Sequence, residues 1–330
     1  MAPSPPPQRP LVLVIQIPCH NEAASLPRVL GSLPRQLEGF ARVQALVVDD
    51  GSQDATAEIA EAGGARVLRL GARRGLASAF ASGLEEALRM GADVVVNTDG
   101  DDQYPAAEIP RLLEPLRGRR CAMALGCRDI AGHPEFSLVK KLLQGLGSAV
   151  VGWLSGVRVP DATTGFRALT REAALRLLVI SRYTYTLETL IQAGHEGIEI
   201  VWVPVRVNPS RRPSRLMRSI GGYVANSAAT ILRTYATYAP LRAFFTIGAV
   251  FLAAGALGVA RFLYYYLSQP AYSGHIQSLV VSVGLLVLGV QTLFIGMLAD
   301  LVAVNRKILQ DVLIRLKRED TRPTAEEPRR

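Results

Sequence analysis

Two long apolar stretches near the C-terminal end constrain the fold of this chain most strongly. They run from about Leu241 to Leu267 and from about Leu279 to Leu301, and each is long enough to cross the hydrocarbon core of a bilayer as a helix. Two buried core helices of a soluble protein are the alternative, but such helices seldom stay apolar on every face for about twenty residues. The sequence therefore predicts a hairpin of two transmembrane helices within residues 241–304.

The charges around this hairpin predict its orientation. The chain has a net charge of +9, and it contains no Asp or Glu between Trp202 and Ala299. The connector between the two stretches has no Lys or Arg, whereas basic residues precede the first stretch and follow the second. By the positive-inside rule, we expect both termini in the cytoplasm, with residues 305–330 as a basic cytoplasmic tail. Glycines in both stretches permit close helix approach, within the hairpin or between subunits of a homo-oligomer.

The segments outside the hairpin agree with this topology. Residues 1–10, MAPSPPPQRP, are too polar and proline-rich for a signal peptide, so we expect a disordered N-terminus that stays in the cytoplasm. Residues 213–240 place apolar residues among arginines, which favours one or two amphipathic helices in the membrane interface; a surface helix of the soluble domain is the alternative. The lipid bilayer is a better partner for these arginines than nucleic acid, because no soluble segment interleaves basic and aromatic residues.

The N-terminal part of the chain repeats a pattern of strand, polar loop and helix. A first apolar run, LVLVIQI, is broken by Pro18; a second, VQALVV, leads into Asp50; and a third, VVVN, leads into Asp99. In open α/β sheets, ligands bind at the carboxyl ends of the strands, near the point where strand order reverses. Residues 11–212 are therefore predicted to form a cytoplasmic α/β domain, with a doubly wound, mostly parallel sheet and one polar edge.

The third strand end carries the densest group of oxygen-bearing side chains. Asp99, Asp101, Asp102 and Gln103 lie close together in the sequence, and such groups repel one another unless a cation lies among them. Hard oxygen ligands suit Mg2+ or Mn2+, so a metal ion bound to a diphosphate is one interpretation. An acidic turn between a strand and a helix explains the segment equally well on its own.

Four motifs taken together resemble family 2 glycosyltransferases. PCHNEAASL, VVDDGSQDAT, NTDGDDQ and DATTGFR stand in the order and approximate spacing of that family, and the chain is most similar to the dolichyl-phosphate mannose synthase and undecaprenyl-phosphate glucosyltransferase group. The resemblance implies a GT-A type nucleotide-diphospho-sugar transferase fold. It also implies metal-dependent, inverting transfer of one hexose from a nucleotide sugar, GDP-mannose first and UDP-glucose second, to a polyprenyl or dolichyl phosphate.

The same resemblance implies which residues bind the donor and the metal. Asp101 and Gln103 correspond to metal ligands, and Asp99 lies against the nucleotide sugar or the waters of the metal. The other positions that correspond to nucleotide-sugar contacts are Pro18, His20, Glu22, Asp50, Asp161 and Glu188. For Glu188, a structural ion pair with Arg167 would explain both residues equally well.

The acceptor is expected to need cationic groups more than a strong general base, because a lipid phosphate is already ionised at neutral pH. By resemblance, Arg128 takes part in catalysis with Asp99 and Asp101. The positions that correspond to contacts with the acceptor phosphate are Arg128, Lys140, Arg212 and Arg215. Guanidinium groups suit phosphate because their donors form a planar fork. A solvated surface charge is the alternative for any one of them.

Two other functions fit parts of the sequence. A processive membrane polysaccharide synthase of the same family would carry a Gln-x-x-Arg-Trp motif, but neither Trp153 nor Trp202 follows an arginine. A catalytically inert nucleotide-sugar-binding membrane scaffold would not need a complete set of carboxylates and arginine at the predicted site. The sequence therefore favours an active hexosyltransferase.

Overall fold

The computed structural model describes residues 11–118, 120–129, 138–181, 184–209, 220–268 and 276–321. The chain divides into two compact units. The first comprises Met1–Ile231 together with Leu313–Arg330, and the second comprises Leu232–Val312. A seven-stranded sheet with its helices makes up the described part of the first unit, and two long apolar helices supply most of the second.

The sheet is mostly parallel, as the sequence predicts. Its strands are β1 Leu11–Cys19, β2 Phe40–Asp49, β3 Arg66–Arg69, β4 Val94–Asn97, β5 Met123–Cys127, β6 Arg167–Thr170 and β7 Ile200–Pro204. They lie in the order β3-β2-β1-β4-β6-β5-β7, and β6 is antiparallel to both of its neighbours. The chain moves from β1 to one side of the sheet and later returns to the other side as β4, so strand order reverses between them.

Burial explains why β1 lies at this reversal point. All residues of β1 from Leu13 to Cys19 are buried, which is typical of a central parallel strand covered by helices on both faces. The polar member of this run, Gln16, donates from its Nε2 to Asn97 Oδ1 of β4 at 2.8 Å, whereas its Oε1 has no hydrogen-bond partner among the described residues. The centre of the sheet therefore supports the polar edge where β1, β2 and β4 end.

Ten α-helices occur in the described residues. They are α1 Leu26–Ser32, α2 Thr56–Ala62, α3 Leu76–Arg89, α4 Ile109–Arg117, α5 Leu138–Ser155, α6 Arg171–Arg176, α7 Thr186–His195, α8 Ile220–Tyr238, α9 Pro240–Ser268 and α10 Ile276–Asp320, with a short 3-10 helix at Ala106–Glu108. The described part of the predicted interfacial segment thus forms a single helix, α8.

The structure corrects the prediction that Pro18 breaks the first strand. β1 continues through Pro18 to Cys19 and pairs with the end of β2. Neighbouring residues of a parallel strand direct their backbone groups to opposite sides. The Cys19 carbonyl accepts a hydrogen bond from the Asp50 N–H, on the β2 side. The backbone groups of Pro18 therefore face β4. On that side β4 pairs with β1 as far as Gln16. The missing N–H of the proline therefore removes no ladder hydrogen bond.

The two predicted apolar stretches form helices α9 and α10, which are candidate membrane spans by length and composition. Their most apolar windows have mean hydropathies of 2.1 and 2.3. α9 agrees closely with the predicted stretch, whereas α10 continues beyond Leu301 to Asp320. The residues that follow Leu301 up to that point include no Pro or Gly, so nothing in them ends the helix.

Glycines bring α9 and α10 close together. A Cβ on Gly255 of α9 would lie 2.8 Å from the Ser282 carbonyl oxygen, and a Cβ on Gly289 of α10 would lie 3.0 Å from the Leu252 nitrogen. Such distances leave no room for a side chain, so the small residues permit direct contact between the helix backbones. The structure thus shows the close helix approach within the hairpin that the sequence allows.

The end of α10 belongs to the first unit, where it contacts α6. Arg318 Nη2 lies 2.6 Å from the Glu172 carboxylate, and Arg171 Nη2 donates to the carbonyl and the Oγ1 of Thr321, both at 2.6 Å. An exposed ion pair of this kind contributes at most about 1 kcal/mol. The hydrogen bonds to Thr321 add a second fixed point at the end of the helix.

We expect Gly194→Ala to destabilise the sheet-containing unit. A Cβ at Gly194 of α7 would meet the carbonyl group of Ser155 at the end of α5, so α5 and α7 would have to separate. Such overpacking costs about 1–3 kcal/mol, and thermal unfolding of the purified protein measures it as a lower melting temperature.

Gly145→Ala is the matched control for that substitution. Gly145 lies in α5, and a Cβ there would meet no atom of the described residues within 4 Å. Because alanine favours the helix over glycine by up to about 1 kcal/mol, this variant is expected to melt at or above the wild-type temperature. Equal melting temperatures of the two variants would contradict the packing explanation.

Candidate functional site

The candidate site lies at the sheet edge where β1, β2 and β4 end. His20 follows β1 and Asp50 follows β2; His20 Nδ1 lies 3.0 Å from the Asp50 carbonyl oxygen. Asp99 follows β4, and the carboxylates of Glu22 and Asp101 are among its charged neighbours. The structure therefore brings together residues from all three of the predicted strand ends.

Two predicted donor-binding carboxylates also hold the loops around them. Both oxygens of the buried Asp50 accept backbone hydrogen bonds, from the N–H groups of Arg74 at 2.6 Å and Gly75 at 2.9 Å. The buried Glu22 accepts a hydrogen bond from Ser25 Oγ at 3.0 Å. These contacts fix the loop before α3 and the loop before α1, and both loops lie beside the strand ends.

Residues 99–103, which we call the metal loop, are shaped by hydrogen bonds to their backbone. Asp101 Oδ1 accepts from the Gln103 N–H at 3.1 Å, and Ser25 Oγ donates to the Gly100 carbonyl at 2.7 Å. Asp102 has a left-handed backbone conformation with φ of 65°, which is uncommon for a residue other than glycine. The loop is therefore a defined turn and not a simple strand extension.

Asn208 holds the end of the metal loop. Its N–H donates to the Gln103 carbonyl at 2.9 Å, and its Nδ2 donates to the Asp102 carbonyl at 2.8 Å. Sequence reasoning missed both Ser25 and Asn208. The position of Ser25 just before a helix was a usable signal, because such residues often donate or accept local hydrogen bonds; Asn208 gave none.

Asp99 occupies a half-buried position with little room around it. A Cβ on Gly165 would lie 2.8 Å from Asp99 Oδ1, so glycine is needed there for the carboxylate to fit. Asn97 Nδ2 fixes the Gly165 carbonyl at 2.7 Å. Burial, together with the neighbouring carboxylate of Asp101, raises the pKa of Asp99 to about 7. The end of β4 thus carries negative charge that the protein does not fully compensate.

Arg128 is oriented by a bidentate ion pair with Asp161. Arg128 Nε lies 2.7 Å from Asp161 Oδ2, and Nη2 lies 2.9 Å from Oδ1. Nη2 also donates to Thr163 Oγ1 at 2.7 Å, and Gln144 Nε2 of α5 donates to the same oxygen at 3.0 Å. The side chain of Asp161 is fully buried and that of Arg128 is 9% exposed. Gln144, which sequence reasoning missed, therefore links α5 to this pair.

The environment keeps Arg128 charged. Burial alone would lower the pKa of its guanidinium group, but Tyr104, Asp161 and Asp99 together raise that pKa above its ordinary value. Nη1 of Arg128 forms no hydrogen bond with any of the described residues. One edge of a rigidly held cation therefore has no described protein acceptor.

Arg167 and Glu188 do not form the ion pair that the sequence allowed. Arg167 is fully buried and donates to the carbonyls of Thr164 and Thr186 and to Thr189 Oγ1. The Glu188 carboxylate instead accepts from the backbone N–H groups of Ile180 at 3.0 Å and Ser181 at 2.9 Å. Glu188 thus orders the loop between α6 and α7.

For three of the predicted acceptor-binding residues, the side chain or the whole residue lies outside the part of the chain that the structure describes. Lys140 lies in α5, but its side chain lies outside the described residues, as do Arg212 and Arg215 entirely. Arg128 is the predicted acceptor-binding residue whose geometry the structure gives.

The metal loop fits a divalent cation of the predicted kind. Asp101 and Gln103 are half-buried and carry oxygen donors on the loop that begins with Asp99, whose charge the protein compensates only in part. Among the described residues, no three His, Cys, Asp or Glu side chains are arranged to hold a metal ion by themselves. An open site with few protein ligands suits Mg2+ or Mn2+, which complete their coordination with substrate phosphates and water.

Comparison with known proteins agrees with the motifs. The family model described as glycosyl transferase family 2 matches residues 14–177. Undecaprenyl-phosphate mannosyltransferase of Micrococcus luteus is 30% identical over 201 residues, which cover 57% of this chain and 80% of the relative. Polyprenol monophosphomannose synthase of Mycolicibacterium smegmatis is 30% identical over 212 residues, which cover 61% of this chain and 77% of the relative.

The fold agrees with a solved enzyme structure. Glucosyl-3-phosphoglycerate synthase from Mycobacterium tuberculosis, in complex with Mn2+, UDP-glucose and phosphoglyceric acid, matches with a TM-score of 0.55 and 22% identity, covering 68% of this chain and 80% of that chain. This likeness confirms the predicted GT-A type fold, and the family model with the two relatives confirms the predicted class of enzyme, a glycosyltransferase. This chain belongs to glycosyl transferase family 2.

Proposed function

We propose that this enzyme transfers a single hexose from a nucleotide sugar to a polyprenyl phosphate at the cytoplasmic face of a membrane. The observation that carries the proposal is the placement of Asp99, Asp101 and the fixed guanidinium group of Arg128 around one sheet edge. The site thus offers negative groups for a cation with its diphosphate and a positive group for a second phosphate. The names of the two relatives, both of which include mannose, favour GDP-mannose over UDP-glucose as donor.

The donor side of the site is assigned to the loops that follow β1, β2 and β4. Pro18, His20, Glu22 and Asp50 would contact the nucleotide, while Asp101 and Gln103 would hold Mg2+ or Mn2+ and Asp99 would face the sugar diphosphate. When bound, the cation supplies charge neutralisation for the departing nucleoside diphosphate. Asp161 takes part through Arg128, and Glu188 through the loop that it orders.

The acceptor side of the site is assigned to Arg128. An acceptor phosphate oxygen would attack the anomeric carbon as the bond to the nucleoside diphosphate breaks, with inversion at that carbon. No proton has to be removed from the acceptor, because its phosphate is already ionised. Arg128 is suited to orient that phosphate, since Asp161 occupies Nε and Nη2 and none of the described residues accepts from Nη1. Lys140, Arg212 and Arg215 would add positive charge.

We further propose that α9 and α10 anchor the enzyme in the bilayer that contains its acceptor. Support comes from their length and hydropathy and from the distribution of basic residues around them. In this proposal residues 11–212 form the cytoplasmic catalytic domain, residues 213–240 lie in the membrane interface, and both termini are cytoplasmic.

The reaction is tested by incubating the purified full-length protein with Mn2+ or Mg2+, polyprenyl phosphate and a panel of radiolabelled GDP- and UDP-sugars. Label extracted into organic solvent is expected from GDP-mannose, and Asp101→Ala is expected to lower the rate at least about 100-fold, because it removes a metal ligand. Glu114→Ala, which removes an exposed carboxylate of α4, is the control and should retain the wild-type rate.

Absence of lipid-linked label from every donor, in a preparation that binds nucleotide with Mn2+, would contradict the transfer reaction. Addition of several linked sugars to one acceptor would instead identify a polymer synthase. Mass spectrometry of the extracted product separates a single transfer from polymerisation.

Arg128→Lys tests the acceptor side. Lysine keeps the charge but cannot form the bidentate pair with Asp161, so we expect kcat to fall about 10- to 100-fold. Binding of the Mn2+–nucleotide complex should stay within about twofold of wild type. Asp161→Asn is expected to give a similar loss, and the double variant should lose little more, because both substitutions break one unit.

The exposed Arg158, changed to lysine, is the matched control for that series. If Arg128→Lys weakened nucleotide binding as strongly as it lowered kcat, Arg128 would belong to the donor side and the acceptor assignment would fail.

A further inference from the structure

Asn208 lies beside the site, and the reaction as proposed gives it no task. It contacts the metal loop through two hydrogen bonds, one from its backbone to the Gln103 carbonyl at 2.9 Å and one from its side chain to the Asp102 carbonyl at 2.8 Å. Its partner Asp102 is 106 positions away in the sequence. One residue just after β7 therefore holds two consecutive carbonyls of a loop that follows β4.

The segment around Asp102, which Asn208 holds, has a backbone conformation that needs contacts from elsewhere in the chain. Asp102 has φ of 65°, a left-handed conformation that non-glycine residues adopt at a cost in free energy and keep where their surroundings fix it. The peptide units on either side of Asp102 set the directions from which the side chains of Asp101 and Gln103 start. The hydrogen bonds of Asn208 therefore act on the geometry of both predicted metal ligands.

Ser25 also holds this loop, through its 2.7 Å hydrogen bond to the Gly100 carbonyl. Its hydroxyl also lies 3.0 Å from the Glu22 carboxylate, and a single hydroxyl proton cannot serve both acceptors fully. The side-chain amide of Asn208 donates to the Asp102 carbonyl, and no second acceptor for it occurs among the described residues. Substituting Asn208 therefore removes one side-chain hydrogen bond to the loop and no other described one, which makes it the better test of how the loop is held.

We propose that Asn208 is a positioning residue for the divalent cation. By fixing the backbone of residues 102 and 103, it preorganises the oxygen donors of Asp101 and Gln103, so that the loop pays less ordering entropy when the cation binds. In this role Asn208 acts through the loop backbone and not as a ligand of the cation. This role rests on the proposed function, because it takes Asp101 and Gln103 as the metal ligands.

The test measures Mn2+ binding directly, by electron paramagnetic resonance of free Mn2+, in the full-length protein with saturating GDP or UDP and without lipid acceptor. Asn208→Ala is expected to weaken Mn2+ binding about fivefold, the factor that corresponds to one net hydrogen bond. In the transfer assay the Mn2+ concentration for half-maximal rate should rise by the same factor, while kcat at saturating Mn2+ stays within about twofold.

Two further variants keep the result interpretable. Gln36→Ala removes an exposed amide in the loop between α1 and β2 and should leave Mn2+ binding unchanged. Asn208→Ser keeps a shorter donor and should give an intermediate Mn2+ affinity; it replaces the alanine variant if that protein fails to fold. Melting temperature and metal-free nucleotide binding show whether each variant retains its fold.

Unchanged Mn2+ affinity in folded Asn208→Ala protein would overturn the positioning role, whatever happens to the melting temperature. A lower kcat at saturating Mn2+ with unchanged Mn2+ affinity would overturn it as well. Because the binding measurement contains no lipid acceptor, the two proposals fail separately. Weakened Mn2+ binding in the variant, with no lipid-linked product from the wild type, would sustain the role of Asn208 and refute the proposed reaction.

Discussion

Electrostatic crowding at the end of β4 is the constraint on which the rest of the site depends. Asp99 lies close enough to Asp101 and to Glu22 for their negative charges to oppose its own, and burial adds to the effect. Two buried guanidinium groups, those of Arg128 and Arg167, offset part of this charge. The neighbouring backbone is held correspondingly firmly, because a loop free to move would relieve the repulsion by turning a carboxylate toward water.

Much of the fold was predictable because its signals are local. The apolar runs that end in polar residues indicated the parallel strands, and the lengths of the two C-terminal stretches indicated α9 and α10. The role of Pro18 was predicted wrongly. Its missing N–H removes no hydrogen bond because β4 pairs with β1 only as far as Gln16. How far a neighbouring strand extends is a property of the assembled sheet and is not visible in the sequence. The placement of antiparallel β6 between β4 and β5 depends on long-range pairing in the same way.

The charged residues of the site could be predicted from the sequence, whereas the polar residues that hold its loops could not. Motifs indicated Asp99, Asp101 and Arg128, because unusual densities of charge are visible in a sequence. Ser25, Asn208 and Gln144 are common polar residues, and their importance comes from partners that are 75, 106 and 19 positions away in the chain. The ion pair of Glu188 with Arg167 is the converse case, in which complementary charges in the sequence suggested a contact that does not form. Arg167 donates to backbone and threonine oxygens, and Glu188 accepts from backbone N–H groups.

The end of α10 has a consequence for the order in which the protein is made. Arg171 and Glu172 of α6 find partners in Thr321 and Arg318, which leave the ribosome after both apolar helices have been synthesised. The residues of the sheet therefore leave the ribosome before the partners of this part of its surface exist. Its last described contacts become available only after α9 and α10 have been translated, so completion of the sheet-containing unit is tied in time to completion of these two helices.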